Sequence, residues 1–302
     1  MTHATAAMAP PPFRCGYVAI VGRPNVGKST LLNRLIGQRI SITSRKAQTT
    51  RHRVTGILTT ARAQIMFVDT PGFQTRHRSR LNERMNRAVA QSLADVDAVV
   101  LVLEAGRTVD ADLAVIGLLP AGAKVVAALN KVDRQKDRDA LLPQMAGLAA
   151  LYPFAAIVPV SAEKGSALDA LAAEVEALLP AGAPLFGEDE ITDRDERFLA
   201  AEFVREKIFR LLGEEVPYAT TVAVDRFERD GALRRIHATI YVDRDNQRPI
   251  LLGAGGAQMK KIAASARVDM ERLFGGPVYL EIWVRVKRGW ADDDALLTRF
   301  GY

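Results

Sequence analysis

The stretch GRPNVGKST, residues 22–30, decides how the first half of this chain folds. It fits the phosphate-loop pattern G-x-x-x-x-G-K-[ST] at Gly22, Gly27, Lys28 and Ser29. The apolar residues 17–21 before it favour a strand, and the leucines within residues 29–35 are spaced as on a helix. A glycine-containing turn between a strand and a helix points successive backbone N–H groups inward, which predicts a nest for phosphate groups.

The polar side chains of this loop have predicted tasks. Lys28 would neutralise the outer phosphates of a nucleotide, and the Ser29 hydroxyl would ligate Mg²⁺. The rest of the loop is predicted to surround the nucleotide, through Gly22, Arg23, Pro24, Asn25, Val26, Gly27 and Thr30. An ordinary glycine turn is the alternative, and the flanking strand and helix favour the phosphate loop.

The composition of the chain excludes several classes of protein. At 302 residues it is long enough for two domains, and its 48% hydrophobic and 25% charged residues are ordinary for a globular protein. One cysteine, Cys15, leaves no internal disulfide framework and suits a reducing cytosol. Residues 1–12 lack the pattern of a secretory signal, and no apolar run approaches the roughly 18 residues of a membrane span.

A net charge of +6 favours an anionic partner, and the excess of basic residues lies in the first half of the chain. A first basic cluster comprises Arg39, Arg45, Lys46, Arg51 and Arg53, and a second comprises Arg76, Arg78, Arg80, Arg84 and Arg87. Two interpretations stay open, since each cluster is either a solvated face or a docking surface for nucleic acid or another acidic partner.

Two loops after the phosphate loop have the residues of a nucleotide-triphosphate switch. Residues 40–53 are polar and basic without clear periodicity, and they contain Thr49 and Thr50. Such a loop needs a threonine that reaches Mg²⁺ and the γ-phosphate, and Thr50 is the favoured candidate. A strand over residues 64–68 then runs into the second loop, Asp69, Thr70, Pro71 and Gly72. Asp69 would hold the Mg²⁺ shell, and the Gly72 N–H would approach the γ-phosphate.

These assignments define the predicted catalytic set, Lys28, Thr50 and Gly72, and the predicted metal set, Ser29, Thr50 and Asp69. Phe73 follows Gly72 at the position where a Ras-like pattern has the glutamine that orients the attacking water. Because a phenylalanine cannot orient water, the prediction is slow intrinsic hydrolysis.

A guanine-specific loop is predicted at residues 130–133, NKVD, which follow an apolar strand over residues 124–129. The Asp133 carboxylate can accept two hydrogen bonds from guanine, Lys131 would lie against the base, and Asn130 would tie this loop to the phosphate loop. A further strand ends in Ser161, Ala162 and Glu163, where the Ala162 N–H would meet the guanine oxygen. Ligand groups at successive strand ends predict a doubly wound α/β domain with a mostly parallel sheet.

A break in composition separates this domain from a second one. The predicted boundaries are an extension over residues 1–14, a nucleotide-binding domain over 15–180, a linker over 181–196 and a second domain with a C-terminal tail over 197–302. In the second domain the predicted order is helix, strand, strand, helix, a GxxG turn, helix and strand, with a hairpin turn at residues 228–231. This order resembles the type II KH module of RNA-binding proteins, a smaller α+β fold.

The GxxG turn, Gly253, Ala254, Gly255 and Gly256, is predicted to bring its backbone against RNA phosphates. KH loops often carry a basic residue between the glycines, and here the residues are Ala254 and Gly255. The missing charge would come from the next helix, through Lys260, Lys261 and Arg267.

Taken together, these motifs resemble the Era family of bacterial GTPases over about residues 16–302, including QTTRH at residues 48–52 and the C-terminal GWADDDALLTRFGY. The resemblance implies binding of GTP and GDP with Mg²⁺, binding of the 3′ region of 16S ribosomal RNA, and assistance in maturation of the 30S subunit. It also implies a cytoplasmic protein with peripheral contact to the inner membrane, expected to be a monomer. In this family a hydrophobic residue stands at the position of Phe73, and Asn25 occupies a position that coordinates K⁺ in some relatives.

Three functions compete for this sequence. The first is an RNA-binding regulatory GTPase, the second a phosphotransferase, and the third a membrane-peripheral GTPase in cell-cycle control. The guanine-specific loop argues against the phosphotransferase, and the KH domain argues against the membrane role as the primary one.

Overall fold

The computed structural model describes residues 12–73, 79–137, 139–213 and 215–302. Its first domain is built on a six-stranded sheet in the order β2-β3-β1-β4-β5-β6, and every pair is parallel except β2 with β3. The elements, in chain order, are β1 (Arg14–Val21), α1 (Lys28–Ile36), β2 (Val54–Thr59), β3 (Ala63–Asp69), α2 (Arg80–Ala94), β4 (Ala98–Glu104), α3 (Asp110–Ile116), β5 (Val125–Asn130), α4 (Leu141–Leu151), β6 (Ala156–Pro159) and α5 (Leu168–Leu178).

Apolar side chains leave both faces of this sheet, and helices cover both. In β4, Val100 and Val102 join the cluster under α1 and α5, whereas Leu101 and Leu103 join the cluster under α2 and α4. A strand buried on two faces is apolar at nearly every position, which is why β4 reads AVVLVLE. The predicted doubly wound, mostly parallel fold is confirmed.

The order of the strands positions the nucleotide motifs. The chain goes from β1 to one side of the sheet for β2 and β3, and then to the other side for β4, β5 and β6. The connections that follow β1 and β3 therefore run towards opposite sides of the sheet, and the phosphate loop begins at this switch point, at the carboxyl end of β1. Ligands bind in the crevices at such switch points.

The second domain has a three-stranded sheet in the order β7-β8-β9, antiparallel between β7 and β8 and parallel between β8 and β9. One face of the sheet packs on α6 and α9, through buried residues such as Phe203, Ile262 and Met270. Its elements are α6 (Glu196–Leu211), α7 (Glu215–Tyr218), β7 (Thr220–Asp230), β8 (Leu233–Val242), α8 (Gln247–Leu252), α9 (Ala257–Phe274), β9 (Val278–Val286) and α10 (Asp294–Arg299). The predicted order of elements is confirmed, and α7 and α10 are additions to it.

The predicted hairpin turn at residues 228–231 is wrong in extent. Glu228 pairs with Arg235 and Asp230 with Leu233, so both strands continue and only residues 231 and 232 form the turn. The ladder extends because exposed charged residues also make backbone hydrogen bonds, which a search for alternating apolar residues does not detect.

The segment between the domains, residues 181–196, follows the edge of the first domain. The side-chain oxygen of Gln64 accepts hydrogen bonds from the amides of Leu185 and Phe186, at 2.7 and 2.9 Å. Further along, the Thr55 hydroxyl donates to Asp193 at 2.9 Å. This segment is thereby fixed to β2 and β3 along much of its length.

A second connection joins α2 of the first domain to the C-terminal segment. Leu81 and Met85 on α2 form one buried cluster with Trp290 and Leu297. Among the described residues, no helix is both long enough and apolar enough to cross a lipid bilayer.

Candidate nucleotide site and nucleic-acid interface

The phosphate loop has a backbone shape that needs glycine at Gly27. Its φ is 105°, and a Cβ built there would lie 2.3 Å from the Nδ2 atom of Asn130. Asn130 in turn donates from Nδ2 to the carbonyl oxygen of Val26 at 2.8 Å. The glycine therefore allows the phosphate loop and the predicted guanine loop to touch.

Lys28 is the first residue of α1 and is buried at the floor of the loop. Its ammonium group donates to the carbonyl oxygens of Gly22, at 2.9 Å, and Arg23, at 3.1 Å. Burial lowers the pKa of Lys28 to about 8. An anion beside this ammonium group would favour its charged form, which is the arrangement a phosphate requires.

Three oxygen-bearing side chains meet beside Lys28. The Ser29 hydroxyl lies 2.7 Å from the Thr50 hydroxyl and donates to Asp69 Oδ2 at 2.6 Å. Asp69 is fully buried, and its Oδ1 atom makes no hydrogen bond within the described part of the chain. Burial raises the pKa of this carboxyl above its usual range, and the Ser29 hydroxyl and the Lys28 ammonium group oppose the shift.

A buried carboxylate oxygen without a partner, next to two hydroxyls, is a fitting place for a hard cation. Mg²⁺ takes oxygen ligands in octahedral geometry and is usually held by one or two carboxylates together with phosphates and water. Ser29, Thr50 and Asp69 supply such oxygens, so the residues present fit Mg²⁺.

The structure distinguishes the two adjacent threonines. The Thr49 hydroxyl lies 2.6 Å from that of Ser44 and donates to the carbonyl oxygen of Lys46 at 2.7 Å, so it closes a turn inside the loop. Thr50 is the one that faces Ser29.

The Asp69–Gly72 segment lies directly beside the phosphate loop. A Cβ on Gly72 would be 2.9 Å from Cα of Pro24, so the backbone of the two loops is in contact there. The Thr70 hydroxyl donates to the carbonyl oxygen of Ile20 in β1 at 2.9 Å and fixes the start of the segment. Phe73 packs against the apolar cluster of α2 and β4. Pro71 lies between Thr70 and Gly72 in this segment. The two loops together line one cleft, whose residues include Pro24, Asn25, Gly27, Lys28, Ser29, Thr30, Thr50 and Gly72.

At the guanine loop the structure brings Asn130, Lys131, Asp133 and Ser161 together. Lys131 donates to the carbonyl oxygen of Asn25 at 2.7 Å, and the Ser161 hydroxyl donates to Asp133 at 2.5 Å. The task predicted for Ala162 differs from what is observed, since its N–H already donates to Asn130 Oδ1 at 2.9 Å. Asn130 thus bridges both loops, and Ala162 positions that bridge. Glu163 is exposed next to it.

The Arg23 side chain connects the phosphate loop to neighbouring elements. Its guanidinium pairs with Glu104 at 2.6 Å and with Asp112 at 3.0 Å, and Lys131 contacts the same Glu104 at 3.3 Å. The side chain thereby holds the phosphate loop to the end of β4 and to α3, and contact of this residue with the nucleotide stays a prediction.

Two polar residues of the site were missed by the sequence analysis. The Ser41 hydroxyl donates to Asp69 Oδ2 at 2.8 Å, and Asn33 Oδ1 accepts from the Ser41 amide at 2.9 Å. Neither lies in a recognised motif, and a serine in a polar loop gives no signal that would distinguish it from its neighbours.

In the second domain the GxxG turn projects from the end of α8. Gly253, Gly255 and Gly256 all have φ between 57° and 81°, a region that favours glycine, and the Gly256 amide donates to the Gly253 carbonyl at 3.2 Å. Ala254 and Gly255 are exposed at its tip.

The three basic residues predicted to serve this turn are not equivalent. Lys260 and Lys261 are exposed in the first turns of α9, next to the glycines. Arg267 lies about 10 Å further along the helix than Lys260. Its guanidinium pairs with Glu271 at 3.2 Å, and of these three residues the two lysines lie closer to the turn.

The two basic clusters are largely occupied by contacts between the domains. In the first, Arg39 pairs with Glu206 and Asp269, and Lys46 donates to the carbonyl oxygens of Leu212 and Gly213. In the second, Arg80 and Arg84 both pair with Asp294. Arg76 and Arg78 lie outside the described residues. A freely solvated face is therefore the wrong interpretation for Arg39, Lys46 and Arg84, whereas the Arg80 side chain is 56% exposed.

Comparison with known protein families finds two matches in this chain. Residues 17–131 match a family described as a 50S ribosome-binding GTPase, and residues 215–291 match the KH domain. The proteins called GTPase Era from Chromobacterium violaceum and Nitrosomonas eutropha are 55% and 57% identical to it. These alignments cover 97% and 96% of this chain and 99% and 98% of the relatives.

Two solved structures share the whole architecture, each with a TM-score of 0.91 and coverage of 96% of this chain and 99% of the other. One is a tyrosine-to-alanine variant of Aquifex aeolicus Era bound to GDP and aluminium fluoride, at 40% identity. The other, at 39% identity, is Era in complex with MgGDPNP and nucleotides 1506–1542 of 16S ribosomal RNA. Both similarities extend over the two domains.

Proposed function

This chain belongs to the Era family of GTPases, and from that premise we propose a GTP-binding and GTP-hydrolysing switch that binds 16S ribosomal RNA and assists assembly of the 30S subunit. The observation that carries the proposal is the link between its two sites. Thr50 faces Ser29 in the phosphate cleft, and the same loop contacts the KH domain through Lys46 and Arg51. A change in nucleotide can therefore reach the domain that binds RNA.

In the phosphate cleft, the loop amides and Lys28 would bind the phosphates. The Gly72 amide, on the segment beside the phosphate loop, would approach the γ-phosphate. Ser29, Thr50 and Asp69 would hold Mg²⁺, which neutralises charge on the phosphate that is transferred. Phe73 supplies no group that could orient water, so the rate would depend on backbone groups, an ion or a partner.

At the base, Asp133 distinguishes guanine from adenine. Its carboxylate accepts hydrogen bonds, and adenine presents the wrong donors at this position. A site built around hydrogen bonds to one ligand rejects the ligand that lacks them by roughly 10⁴- to 10⁵-fold.

The RNA partner is proposed from the relative of known structure that holds nucleotides 1506–1542 of 16S ribosomal RNA. In this chain the exposed GxxG turn with Lys260 and Lys261 has the features for it, since backbone amides and positive charge both bind phosphate. Gly253, Ala254, Gly255, Gly256 and Arg267 complete the proposed RNA-binding set.

The RNA proposal is tested by replacing Lys260 and Lys261 together with alanine and measuring affinity for an RNA of the same nucleotides. Each lost phosphate contact weakens binding and lowers its salt dependence, so a drop of about tenfold or more is expected. Arg272→Ala is a matched control, because it removes an exposed charge from the same helix about 18 Å away. Equal effects of the double variant and the control would refute the proposed RNA site.

The second candidate function is contact with a membrane. The contact is proposed as peripheral, and the protein is proposed to be a monomer in the cytoplasm. The basic clusters that would meet anionic lipid are mostly paired between the domains, which disfavours it. Pelleting with anionic liposomes, beside an RNA gel shift at matched salt, separates the two functions: retention on liposomes without an RNA shift would favour the membrane.

A further inference from the structure

We propose that Arg51 is a positioning residue for Thr50: by binding a socket in the KH domain, it holds the threonine where Mg²⁺ and the γ-phosphate need it. The inference rests on the proposed function, because it names the residue that connects the nucleotide cleft to the RNA-binding domain. The arginine itself is not among the residues that line the phosphate cleft.

The socket accepts the guanidinium group through three backbone carbonyl oxygens at the start of the KH sheet. Arg51 donates to Thr220 at 2.8 Å, to Tyr218 at 3.0 Å and to Pro217 at 3.1 Å. The arginine is only 3% exposed. These carbonyls converge where α7 ends and β7 begins, so the socket is a rigid feature of the second domain.

Two aromatic rings complete the socket. The Arg51 guanidinium carbon lies 5.5 Å from the ring centre of Phe209 and 5.8 Å from that of Trp290. Trp290 is fully buried and is itself held by a hydrogen bond from Nε1 to the carbonyl oxygen of Ala219 at 3.0 Å. Contacts of this kind between a cation and an aromatic face are strongest where water is excluded.

Burial of this arginine is not explained by stability alone. Its Nε atom makes no hydrogen bond among the described residues, and a buried donor without a partner costs free energy. The nearest carboxylate, Glu202, is bound by both arms of Arg205 at 2.7 and 2.6 Å. An apolar side chain would fill the space without that cost. The guanidinium group, in contrast, has several N–H donors in one plane and can reach three carbonyl oxygens at once.

Because Thr50 and Arg51 are neighbours in sequence, the contact of Arg51 with the KH domain also affects the position of Thr50. The Cα atoms of Thr50 and Arg51 are about 3.8 Å apart, as for any neighbours in sequence. The threonine hydroxyl therefore stays 2.7 Å from Ser29 only while the second domain presents its socket at the present place. Two sites that act on the same loop are coupled reciprocally. The contact of Arg51 with the KH domain therefore favours GTP binding to the same degree as bound GTP favours that contact.

Nucleotide affinity without RNA tests this inference. Thr50 serves the γ-phosphate and its Mg²⁺, so Arg51→Met is expected to weaken binding of a non-hydrolysable GTP analogue with Mg²⁺ about tenfold. GDP affinity is expected to stay within about twofold, since GDP does not use the threonine. Arg51→Lys keeps the charge but not the planar fork, so it is expected to recover little of the loss.

The matched control is Arg80→Met, which removes an interdomain ion pair, with Asp294, that does not involve the Thr50 loop. It is expected to leave the ratio of the two affinities unchanged. A merely structural role for Arg51 would weaken binding of GDP and of the analogue alike, and that result, or full recovery with Arg51→Lys, would overturn the proposal. If the unaltered protein does not bind RNA, and the nucleotide affinities of the Arg51 variants change as expected, the proposed function is contradicted and this inference stands.

A spectroscopic test covers the case in which Arg51→Met does not fold. The chain has two tryptophans, and Trp283→Phe removes the exposed one, leaving the socket residue Trp290 as the only reporter. Exchange of GDP for the GTP analogue with Mg²⁺ is expected to change its emission, because the guanidinium beside the ring is repositioned. Identical emission in both states would contradict the linkage.

Discussion

Gly27 lies where the phosphate loop meets the predicted guanine loop. Its backbone has a positive φ, and the space above it is taken by Asn130, which also contacts Val26 and Ala162. The pattern in the sequence gives the glycine and the asparagine separately, at a spacing of about a hundred residues. The motif predicts that Asn130 ties its loop to the phosphate loop, and the contact with Val26 agrees with it. That Gly27 must lack a Cβ for this contact could not be predicted, because it depends on the neighbouring positions of β1, β4 and β5.

Gly27→Ala is therefore expected to lower affinity for GDP at least a hundredfold, equivalent to roughly 3 kcal/mol. The added Cβ would collide with the asparagine that holds both loops. Gly37→Ala is the control, since it also has a positive φ, 74°, but meets no atom within 4 Å, and it should cost only about 1 kcal/mol of stability. Calorimetric titration with GDP measures both. A Gly27 variant that binds like the control would contradict this role.

Phe73 sets an expectation for the rate of hydrolysis. With no side chain there to orient water, the isolated protein should turn over GTP at below about 10⁻² per second in a single-turnover experiment. If Asn25 helps to bind K⁺, replacing K⁺ by Na⁺ should slow the reaction further. A fast rate would contradict the first expectation, and indifference to the cation would remove the second.

At the scale of helices and strands, the sequence is most informative where both faces of an element are buried. Four strands of the first sheet, β1, β3, β5 and β6, were predicted, and each lies within a few residues of its predicted place. The ends were less predictable: β1 begins at Arg14 and not at residue 17, because backbone pairing with Ala63 continues past the apolar part.

The C-terminal helix α10 and its contact with α2 were not predicted, because six residues are too few to show a helical period. Leu297 is fully buried in that contact, so Leu297→Ala should lower the free energy of unfolding by about 2–5 kcal/mol. Leu142, which is 63% exposed, provides a control that should change it little. Urea denaturation compares the two, and similar losses would mean that the contact is not part of the folded core.

At the scale of the whole molecule, the basic residues were the hardest to interpret. Composition suggests an anionic partner for the cluster around residues 39–53, yet Arg39 pairs with Glu206 and Asp269, which follow it by 167 and 230 residues. No local pattern reports partners so distant in sequence. The consequence is functional, because the loop that is predicted to sense the nucleotide also makes contacts between the two domains.

That arrangement makes one claim central, which is that the bound nucleotide controls RNA binding by the second domain. The most direct measurement is the affinity of the full chain for an RNA of nucleotides 1506–1542 of 16S ribosomal RNA, with GDP and then with a GTP analogue and Mg²⁺ at the same salt concentration. Coupling through the Thr50 loop predicts binding at least about fivefold tighter with the analogue. Equal affinities in the two states would contradict the account.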